Sequence, residues 1–457
     1  MNISPLSRRA FLRRSVLATA VVAFPFVARR NVLGANGKLN LAVVGVGGKG
    51  EADIHGCSTE NMVALCDPDA TRAANMFKKY PDAKRFKDYR VMFEDYADKF
   101  DGVIISAPDH HHAWPALKAM NLGKHVYCQK PLTHTVYEAR LLTRVARAKG
   151  VITQMGNQGH CHPDSRRLVE IIQSGALGDV KEAHVWTDRP IWPQGVTRPT
   201  EFQPVPETLD WDLWLGPAPQ RPYSKAYVPF NWRGWWDFGT GSIGDMGCHN
   251  MDLAFWALNL RDPESVELLE QDGLTSESPA KASVTKWAFP RLKLADPATG
   301  KSRTRAKVSL TWYDGGRKPD AKLAEQNELP PNGCILIGSQ DTLYVPMYWG
   351  RGDFLSGRKM EDFTDVPQSL PRFPGAAQDN DYAHHQEWVL AVKGNGQALS
   401  NFDYAGPMTE AVLLGNVAQR VGRKIRWDPK QMRIRNVKNS DQFLNKEYRK
   451  GWELPLV

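Results

Sequence analysis

The chain has 457 residues, of which 42% are hydrophobic and 24% are charged, an ordinary composition for a soluble globular protein of two or three domains. Its formal net charge of +9 is modest for this length, and no basic block occurs beyond the N-terminus, so nucleic-acid binding has little support. Six cysteines without C-x-x-C spacing argue against a disulfide framework or a zinc ribbon, and we expect most of them to be small core residues.

Residues 1–36 have the pattern of an export leader. The hexapeptide S-R-R-A-F-L at 7–12 precedes an alanine- and valine-rich segment at 16–28, as in twin-arginine signal peptides. That segment, about 13 residues long and interrupted by Pro25, is too short for a stable membrane-spanning helix. We therefore expect a periplasmic protein exported by the twin-arginine route, with the leader either cleaved or kept as an anchor. A basic amphipathic start to the mature domain is the alternative.

The stretch 39–67 has the order of a dinucleotide-binding unit. An apolar run at 39–44 predicts a buried parallel strand, and a G-x-G-x-x-G turn follows at 45–50. A second apolar run at 61–66 ends in Asp67, 22 residues after the first glycine (67 − 45). Because Asp67 can accept hydrogen bonds from a ribose diol and would repel a 2′-phosphate, the sequence favours NAD over NADP.

Each glycine of that turn has its own physical task. Gly45 allows a tight turn, Gly47 lets backbone N–H groups approach a pyrophosphate, and Gly50 lets helix and strand pack closely. The N-terminus of the following helix then offers partial positive charge to the phosphates. The predicted phosphate-binding residues are Gly45, Gly47, Gly48, Lys49 and Gly50.

Strands and helices continue to alternate as far as residue 154, which predicts a doubly wound parallel sheet and an NAD-binding Rossmann domain at 37–158. The expected strands are 102–108, 124–128 and 151–154, and the expected helices are 70–79, 90–99, 113–122 and 135–149. The strand ends meet on one rim, where ligands of such sheets bind. On this rim we expect Pro108, His112, Gln129 and Lys130 to contact the cofactor. Consecutive histidines at 110–112 rarely converge on one ion, so we predict no metal site.

From residue 159 to 457 the pattern changes to that of a second α/β domain. We expect a mixed sheet with helices on one face, and a long loop at 350–380 that serves as a lid or a subunit contact. The expected helices are 165–174, 245–258, 382–393 and 407–420, and the expected strands are 181–187, 284–289, 306–312, 334–338 and 342–346.

Three residues point to one catalytic site. Lys130 ends a strand before a proline, where its amine could face a bound nicotinamide. Asp245 and His249 are spaced i, i+4 on one helical face, and Asp252 continues that stripe. A histidine with a lysine and a carboxylate around it suits proton removal from a secondary alcohol while the hydride leaves.

The glycine turn, the segment G-K-H-V-x-x-x-K-P at 123–131 and the segment G-x-x-x-D-M-G-x-H-x-x-D at 241–252 together resemble the Gfo/Idh/MocA family of oxidoreductases. The resemblance implies a Rossmann domain followed by an α/β domain with a large open, mostly antiparallel sheet, which often forms the interface of a homo-oligomer, here a dimer or tetramer. It also implies NAD or NADP as cofactor and sugars, inositols or their derivatives as substrates. By the same resemblance, Lys130 orients the substrate and stabilises the alkoxide, Asp245 binds a neighbouring hydroxyl, and His249 accepts the proton. Gln129 departs from the family pattern, which has glutamate there.

The favoured function is an exported NAD(P)-dependent oxidoreductase acting on a secondary alcohol of a carbohydrate. The alternatives are a glycoside hydrolase that oxidises, eliminates and re-reduces with recycled NAD, and a non-catalytic sugar-binding relative. Aromatic faces stack on sugars, and a tryptophan-rich tract runs from 186 to 256. The candidate substrate contacts are His160, Trp192, Trp235 and Asp252.

Overall fold

The computed structural model describes residues 37–295 and 302–456. The predicted leader at 1–36 lies outside the described residues. Within the described ranges, no helix combines the length and the apolar character needed to cross a membrane.

The first half of the chain forms a six-stranded parallel sheet in the order β3-β2-β1-β4-β5-β6. Its strands are β1 (Asn40–Val44), β2 (Asn61–Cys66), β3 (Lys84–Phe86), β4 (Gly102–Ile105), β5 (His125–Gln129) and β6 (Thr153–Gly156). Its helices are α1 (Lys49–Gly56), α2 (Ala70–Lys79), α3 (Tyr89–Asp95), α4 (Ala113–Asn121) and α5 (Val136–Lys149). All six strands point the same way, so their carboxyl ends form one rim, as predicted. The short exposed strand β3 was not predicted, because K-R-F carries no apolar pattern.

Local sequence explains where these elements begin and end. The Thr135 hydroxyl accepts the Glu138 N–H (3.2 Å) and the Glu138 carboxylate accepts the Thr135 N–H (3.0 Å), which starts α5 with a capping box. The same helix ends at Gly150, which adopts the left-handed conformation (φ 62°). β1, by contrast, is buried on both faces, which explains its unbroken apolar run.

The second half forms a nine-stranded mixed sheet in the order β15-β14-β13-β7-β12-β9-β8-β16-β17. Its strands pair antiparallel except for the parallel pair of β7 and β12, and β10 and β11 form a separate hairpin. The strands are β7 (Glu182–Trp186), β8 (Ser265–Asp272), β9 (Ala282–Phe289), β10 (Leu292–Ala295), β11 (Ser302–Arg305), β12 (Val308–Tyr313), β13 (Gly333–Ile337), β14 (Thr342–Val345), β15 (Asp353–Phe354), β16 (Ile425–Asp428) and β17 (Arg433–Ile434). The helices are α6 (Pro163–Gln173), α7 (Trp211–Leu215), α8 (Gly241–Asn250), α9 (Asp252–Ala257), α10 (Asn380–Val392) and α11 (Phe402–Val421).

Two helices of the second half pack back against the first. Trp388 and Val389 of α10 share a buried cluster with Leu41 and Val43 of β1. α11 lies against α5. The two helices are so close that a Cβ added at Gly406 would clash with the side chain of Thr143. The domain boundary between residues 158 and 159 stays a prediction, because α10, which follows that boundary, also packs against the parallel sheet of the first half.

The predicted helix at 245–258 is in fact two helices. α8 ends at Asn250 and α9 begins at Asp252, with Met251 as the junction. Beyond this junction Asp252 contacts Asn157, whereas Asp245 contacts Lys130, so Asp252 does not continue the face that carries Asp245.

The long segment at 346–379 is fastened to α6. Arg167 donates to the carbonyl of Val366 (2.8 Å), and Arg166 donates to the carbonyl of Pro371 (2.5 Å). The buried carboxylate of Glu170 accepts the Leu370 N–H (2.8 Å). All six cysteines are buried, unpaired thiols, which confirms that they are core residues.

Candidate active site

The glycine turn between β1 and α1 leaves no room for side chains. A Cβ at Gly50 would lie 2.0 Å from the carbonyl oxygen of Gly45, and a Cβ at Gly45 would lie 2.7 Å from the Ala107 nitrogen. Gly45 also has a positive φ of 80°, a conformation that glycine adopts without strain. The turn therefore brings α1 directly against the sheet, with its N-terminus at the rim.

A cleft of about 420 Å³ opens in front of this turn. One wall comes from the rim of the parallel sheet and the other from the tryptophan-rich tract. The rim contributes Gly45, Gly47, Gly48, Lys49, Asp67, Ser106 and Pro108, and the tract contributes Trp214, Phe230, Trp232 and Arg233. Its position and lining suit an extended dinucleotide, with backbone N–H groups at one side and apolar surface at the other.

Asp67 is held in place at the end of β2. Its Oδ2 accepts the Val46 N–H (2.9 Å) and its Oδ1 accepts the Asp69 N–H (2.9 Å). Burial raises the pKa of Asp67, while these backbone donors oppose that rise. The acceptor oxygens fit the ribose diol predicted for NAD. Arg72 also lines the cleft, a cation whose place beside the turn was not predicted from the sequence.

Lys130, Asp245 and Arg233 form one ionic group at the carboxyl end of β5. Lys130 Nζ lies 2.7 Å from Asp245 Oδ1 and 2.9 Å from the Asp245 carbonyl oxygen. Arg233 Nε lies 3.2 Å from the same Oδ1. Burial disfavours the charged form of Asp245, but the two cations outweigh it and hold the pKa of this carboxyl well below its usual range.

His249 follows Asp245 by one turn of α8. Burial and the nearby Lys130 charge lower its pKa to about 3, so the ring is neutral at physiological pH. Its Nδ1 is buried and has no hydrogen-bond partner among the described residues. Tyr348 and Trp349 flank the ring at centroid distances of 5.8 and 6.4 Å. The structure thus brings Lys130, Asp245 and His249 together beneath an aromatic wall.

Comparison with known proteins places this geometry in a family. The model described as "Oxidoreductase family, NAD-binding Rossmann fold" matches residues 39–157, and "Oxidoreductase family, C-terminal alpha/beta domain" matches residues 166–297. Together these matches cover more than half of the chain. The chain belongs to the Gfo/Idh/MocA oxidoreductase family. The predictions of an NAD-binding Rossmann domain and of a second α/β domain with a large, mostly antiparallel sheet are confirmed.

Relatives within the Gfo/Idh/MocA family include named dehydrogenases. The D-glucoside 3-dehydrogenase of Escherichia coli is 25% identical over 233 residues, which are 50% of this chain and 56% of that protein. An inositol 2-dehydrogenase of Salmonella typhimurium is 30% identical over 152 residues, which are 32% of this chain and 45% of that protein. The chain thus matches only about half the length of these curated relatives.

Solved structures with the same fold are more distant in sequence. The WlbA dehydrogenase of Bordetella pertussis, solved with NADH and UDP-GlcNAcA, superposes with a TM-score of 0.58 at 15% identity, covering 86% of this chain and 99% of that one. The aldose-aldose oxidoreductase of Caulobacter crescentus, solved with glycerol, superposes with a TM-score of 0.55 at 15% identity, covering 85% and 99%. At this identity the likeness shows the Gfo/Idh/MocA fold alone.

Two predicted cofactor contacts are engaged elsewhere in the Gfo/Idh/MocA site. The buried ring of His112 faces the carbonyl of Pro131 through Nδ1 and that of Ala107 through Nε2, both at 2.8 Å. It therefore fastens two rim loops to each other and has no ring nitrogen left for a ribose. Lys49 directs its ammonium to Asp381 of α10 (2.9 Å), so its charge is already paired.

His160 and Asp252 also differ from the prediction, because they pair with each other. His160 Nδ1 lies 2.9 Å from Asp252 Oδ2, and the ring stacks on Trp256 at 3.7 Å. Tyr404 donates to Asp252 Oδ1 (2.6 Å). These contacts join α9, α11 and the loop after β6, so we assign the pair a structural role.

The two tryptophans expected to contact substrate lie in the core. Trp192 donates its indole N–H to Gln194 (2.9 Å), and Trp235 donates to the carbonyl of Ala226 (3.1 Å). Trp192 is 4% exposed and Trp235 2% exposed, so neither offers a face to a sugar. The aromatic rings beside His249 are those of Tyr348 and Trp349. These two residues were not predicted from the sequence, because they lie in a loop without periodicity. The only signal for them was an aromatic pair just after a predicted strand.

Proposed function

We propose that this protein is an NAD-dependent oxidoreductase that interconverts a secondary alcohol and a ketone on a sugar, an inositol or a sugar derivative. The observation that carries the proposal is the convergence of Lys130, Asp245 and neutral His249 beside the dinucleotide cleft, which Arg233 joins by lining the cleft and contacting Asp245. The E. coli and Salmonella relatives, named for dehydrogenation of a glucoside and of inositol, support the substrate class.

In this proposal Lys130 stabilises the substrate oxygen, and His249 accepts the proton of the hydroxyl group. Bound NAD supplies the hydride acceptor. An ammonium has three N–H donors, and Lys130 uses two of them on Asp245, which leaves the third for the substrate oxygen. That donor stabilises the negative charge that develops on the oxygen. His249, being unprotonated, accepts a hydrogen bond or proton from the hydroxyl group.

Tyr348 and Trp349 complete the substrate site in this proposal. Their rings meet edge to face, with centroids 4.0 Å apart, beside His249. A sugar ring presents apolar C–H faces, which stack well on such surfaces. Trp349 also packs against Gly159, which fixes the wall to the loop after β6.

The second candidate is glycoside cleavage with recycled NAD, in which oxidation acidifies the neighbouring C–H, the aglycone leaves by elimination, water adds to the double bond that results, and re-reduction of the ketone would restore NAD. It is favoured by the predicted export of the chain, since free NAD is scarce outside the cytoplasm. A non-catalytic sugar binder is less well supported, because binding alone does not require all three of Lys130, Asp245 and His249.

One experiment separates these activities. Protein purified without added NAD is incubated with free sugars, inositols and aryl glycosides, and nicotinamide absorbance and aglycone release are followed together. We expect NADH to accumulate only with added NAD, without aglycone release. Aglycone release without net NADH would establish the glycosidase instead. His249→Ala distinguishes both from a binder, which would keep its affinity for sugar.

We further propose export by the twin-arginine route and assembly as a homo-oligomer. The S-R-R-A-F-L hexapeptide supports the first. The family's habit of assembling through its large open sheet supports the second, and on the strand β8 of that sheet Leu269 is 47% exposed. Cell fractionation of the full chain against an Arg8→Lys/Arg9→Lys variant tests export, and light scattering of the purified protein tests assembly.

A further inference from the structure

Residues 440–456, which we call the strap, cross from the second half of the molecule back to the first. The strap follows β17 and reaches the start of α5, where the Leu444 carbonyl accepts the Tyr137 N–H (2.9 Å). Farther along, the Pro455 carbonyl accepts a hydrogen bond from Asn121 of α4 (2.9 Å). Between these two points the strap passes the end of the dinucleotide cleft.

One part of the strap belongs to the rim wall of the cleft. Trp452 is among the lining residues, and its ring lies 5.7 Å from that of Tyr89 and 6.1 Å from that of His111, between ring centroids. Tyr89 and His111 line the cleft as well. The Arg90 guanidinium lies 3.7 Å from the centre of the Trp452 ring and donates to the carbonyl of Gly451 (2.9 Å). The strap is therefore fixed to the Rossmann side of the cleft.

The preceding part of the strap holds the opposite wall. Arg449 Nε donates to the carbonyl of Gly216 (2.7 Å), and its Nη2 donates to the carbonyl of Asp212 (2.7 Å). Its Nη1 also pairs with the Asp212 carboxylate, at 2.5 Å. Asp212 lies on α7, the short helix that places Leu213 and Trp214 in the cleft wall. Arg449 thus ties the tryptophan-rich wall to the strap.

These two attachments differ in how easily they open. The Trp452 side chain is 3% exposed, and Lys446 Nζ, earlier in the strap, pairs with the buried Glu138 at 3.1 Å. Asp212, by contrast, has a side chain that is 60% exposed, so its pair with Arg449 is a surface contact. A surface ion pair contributes little free energy and opens more readily than a packed core. The contact with α7 is therefore the part of the strap that can release.

The strap joins the two walls at the adenosine end of the cleft. The glycine turn after β1 suits the pyrophosphate, and Asp67 after β2 suits the adenosine ribose. β3 is the next strand outward in the sheet, and Asp88 and Tyr89, which follow it, line the cleft beyond Asp67. A dinucleotide that enters or leaves must pass between walls that the strap connects at this end.

We infer that the strap is a clasp on the cofactor cleft: the contacts of Arg449 with α7 hold the two walls together, and they must open when NAD is exchanged. The inference rests on the proposed function only for the use of that exchange in turnover. Its test measures NAD⁺ binding rates without sugar, so an absence of sugar oxidation would not affect the result.

The test compares the association and dissociation rate constants of NAD⁺ in three proteins by stopped-flow fluorescence. They are the wild type, Arg449→Met and the control Tyr448→Phe. Tyr448 is a matched control, because it precedes Arg449 in the strap and donates to Glu138 (2.7 Å) rather than to α7, and it is not among the described residues that line the cleft. Thermal midpoints without NAD⁺ report the structural cost of each substitution.

We expect Arg449→Met to raise the dissociation rate constant about tenfold and the association rate constant at least about threefold, because an easier opening helps passage in both directions. Tyr448→Phe should leave both rate constants within about twofold of wild type. A merely structural role for Arg449 would damage the site and so raise the dissociation rate constant while lowering the association rate constant. The inference fails if either rate constant does not rise in Arg449→Met.

A second variant covers the case in which Arg449→Met does not fold. Asp212→Ala removes the same ion pair from the exposed side of α7 and leaves the backbone acceptors of Arg449 in place. It should raise both rate constants by a smaller factor, about threefold. In the double variant the rates should match those of Arg449→Met alone, since both substitutions act on one contact. Multiplied effects in the double variant would overturn the clasp.

Discussion

At the scale of single residues, Asp245 fixes the positions of the two cations beside it. It holds two cations, Lys130 and Arg233, on one carboxylate oxygen, and this ion group faces a histidine that burial keeps neutral. A neutral ring beside a fixed ammonium does not repel that cation, and its unprotonated nitrogen can accept a hydrogen bond from a hydroxyl group. In the proposed alcohol oxidation, His249 is therefore already unprotonated before any ligand binds.

The first prediction concerns the pH dependence of turnover. His249 loses its acceptor nitrogen only when pH falls through its pKa of about 3, far below the ordinary histidine value of 6.5. We expect kcat/KM for the alcohol to show no decrease due to His249 protonation between pH 5 and 8. The measurement is a pH profile of wild type against His249→Asn. A fall in kcat/KM near pH 6.5 that is seen in the wild type and is absent from the variant would contradict the structure.

The second prediction concerns Lys130. Lys130→Met keeps the length of the side chain but removes the donor to the substrate oxygen and leaves Asp245 with Arg233 alone. Loss of one such donor typically lowers kcat by about 10²–10³. Single-turnover kinetics measure the effect, with Lys78→Met on the exposed side of α2 as control. A kcat within a few-fold of wild type would remove Lys130 from the mechanism.

How far single residues could be predicted depended on their spacing. Lys130 could be predicted because it stands at the end of a strand. Asp245 and His249 could be predicted because their i, i+4 spacing places them on one face of a helix, which depends on local geometry alone. The Asp53 contact to Gln129 joins residues 76 apart, and Trp349 approaches His249 from a loop 100 residues later, so no local pattern revealed them. Trp192 and Trp235 were misassigned because composition does not distinguish a buried ring from an exposed one.

At the scale of elements, the β1–α1 turn has no room for a side chain at Gly50. A methyl group at Gly50 would lie 2.0 Å from the Gly45 carbonyl oxygen, so the third prediction is that Gly50→Ala separates helix from strand. We expect a loss of about 1–3 kcal/mol in the free energy of unfolding. NAD⁺ affinity should fall as well, since the helix N-terminus moves.

Gly396→Ala provides the comparison for that substitution. A Cβ there would meet only Leu390, at an ordinary contact distance of 3.6 Å, and its φ is not positive. Chemical denaturation and NAD⁺ titration of both variants measure the difference. Equal effects in the two would show that the turn does not constrain the helix.

The fourth prediction concerns the segment at 346–379. The sequence suggested a lid or a subunit contact, whereas the structure ties this segment to α6 through Arg166, Arg167 and Glu170. Glu170→Ala removes the carboxylate that pairs with Arg167 and Arg372 and frees the Leu370 N–H. We expect the variant to be cut within this segment by a protease at least about ten times faster than wild type, since local opening becomes easier.

Limited proteolysis with mass spectrometry locates the cuts. A segment that is already cut rapidly in the wild type would support a moving lid. Sequence reasoning could not decide this point, because the anchors are side chains on a helix nearly 200 residues upstream. The break at Met251 was not predicted for a similar reason, because His160 and Tyr404, which contact Asp252 just after it, are 92 and 152 residues away from Asp252.

At the scale of the whole molecule, buried histidines couple folding to pH. Burial lowers the pKa values of His110, His111, His134 and His384 far below 6.5. In the unfolded chain each binds a proton near pH 6.5, and in the folded chain it does not. The unfolded state therefore gains protons first as pH falls, and each such group reduces stability by about 1.4 kcal/mol per pH unit below 6.5.

The fifth prediction follows from that sign. We expect the thermal midpoint to be steady from pH 8 to 7 and to fall by roughly 10 °C or more between pH 7 and 5. Carboxyls whose pKa values burial raises, such as Asp109 and Asp314, act in the opposite direction. Calorimetry across this range provides the measurement, and a midpoint that rises on acidification would contradict the burial of these rings.

The packing of α10 against β1 has a consequence for synthesis of the chain. The last strand of the parallel sheet ends at Gly156, yet the helix that covers Leu41 and Val43 begins only at Asn380. While the ribosome makes the intervening residues, that apolar surface stays open to water or to a chaperone. We therefore expect a chain that is truncated before α10 to aggregate rather than to fold as a smaller protein.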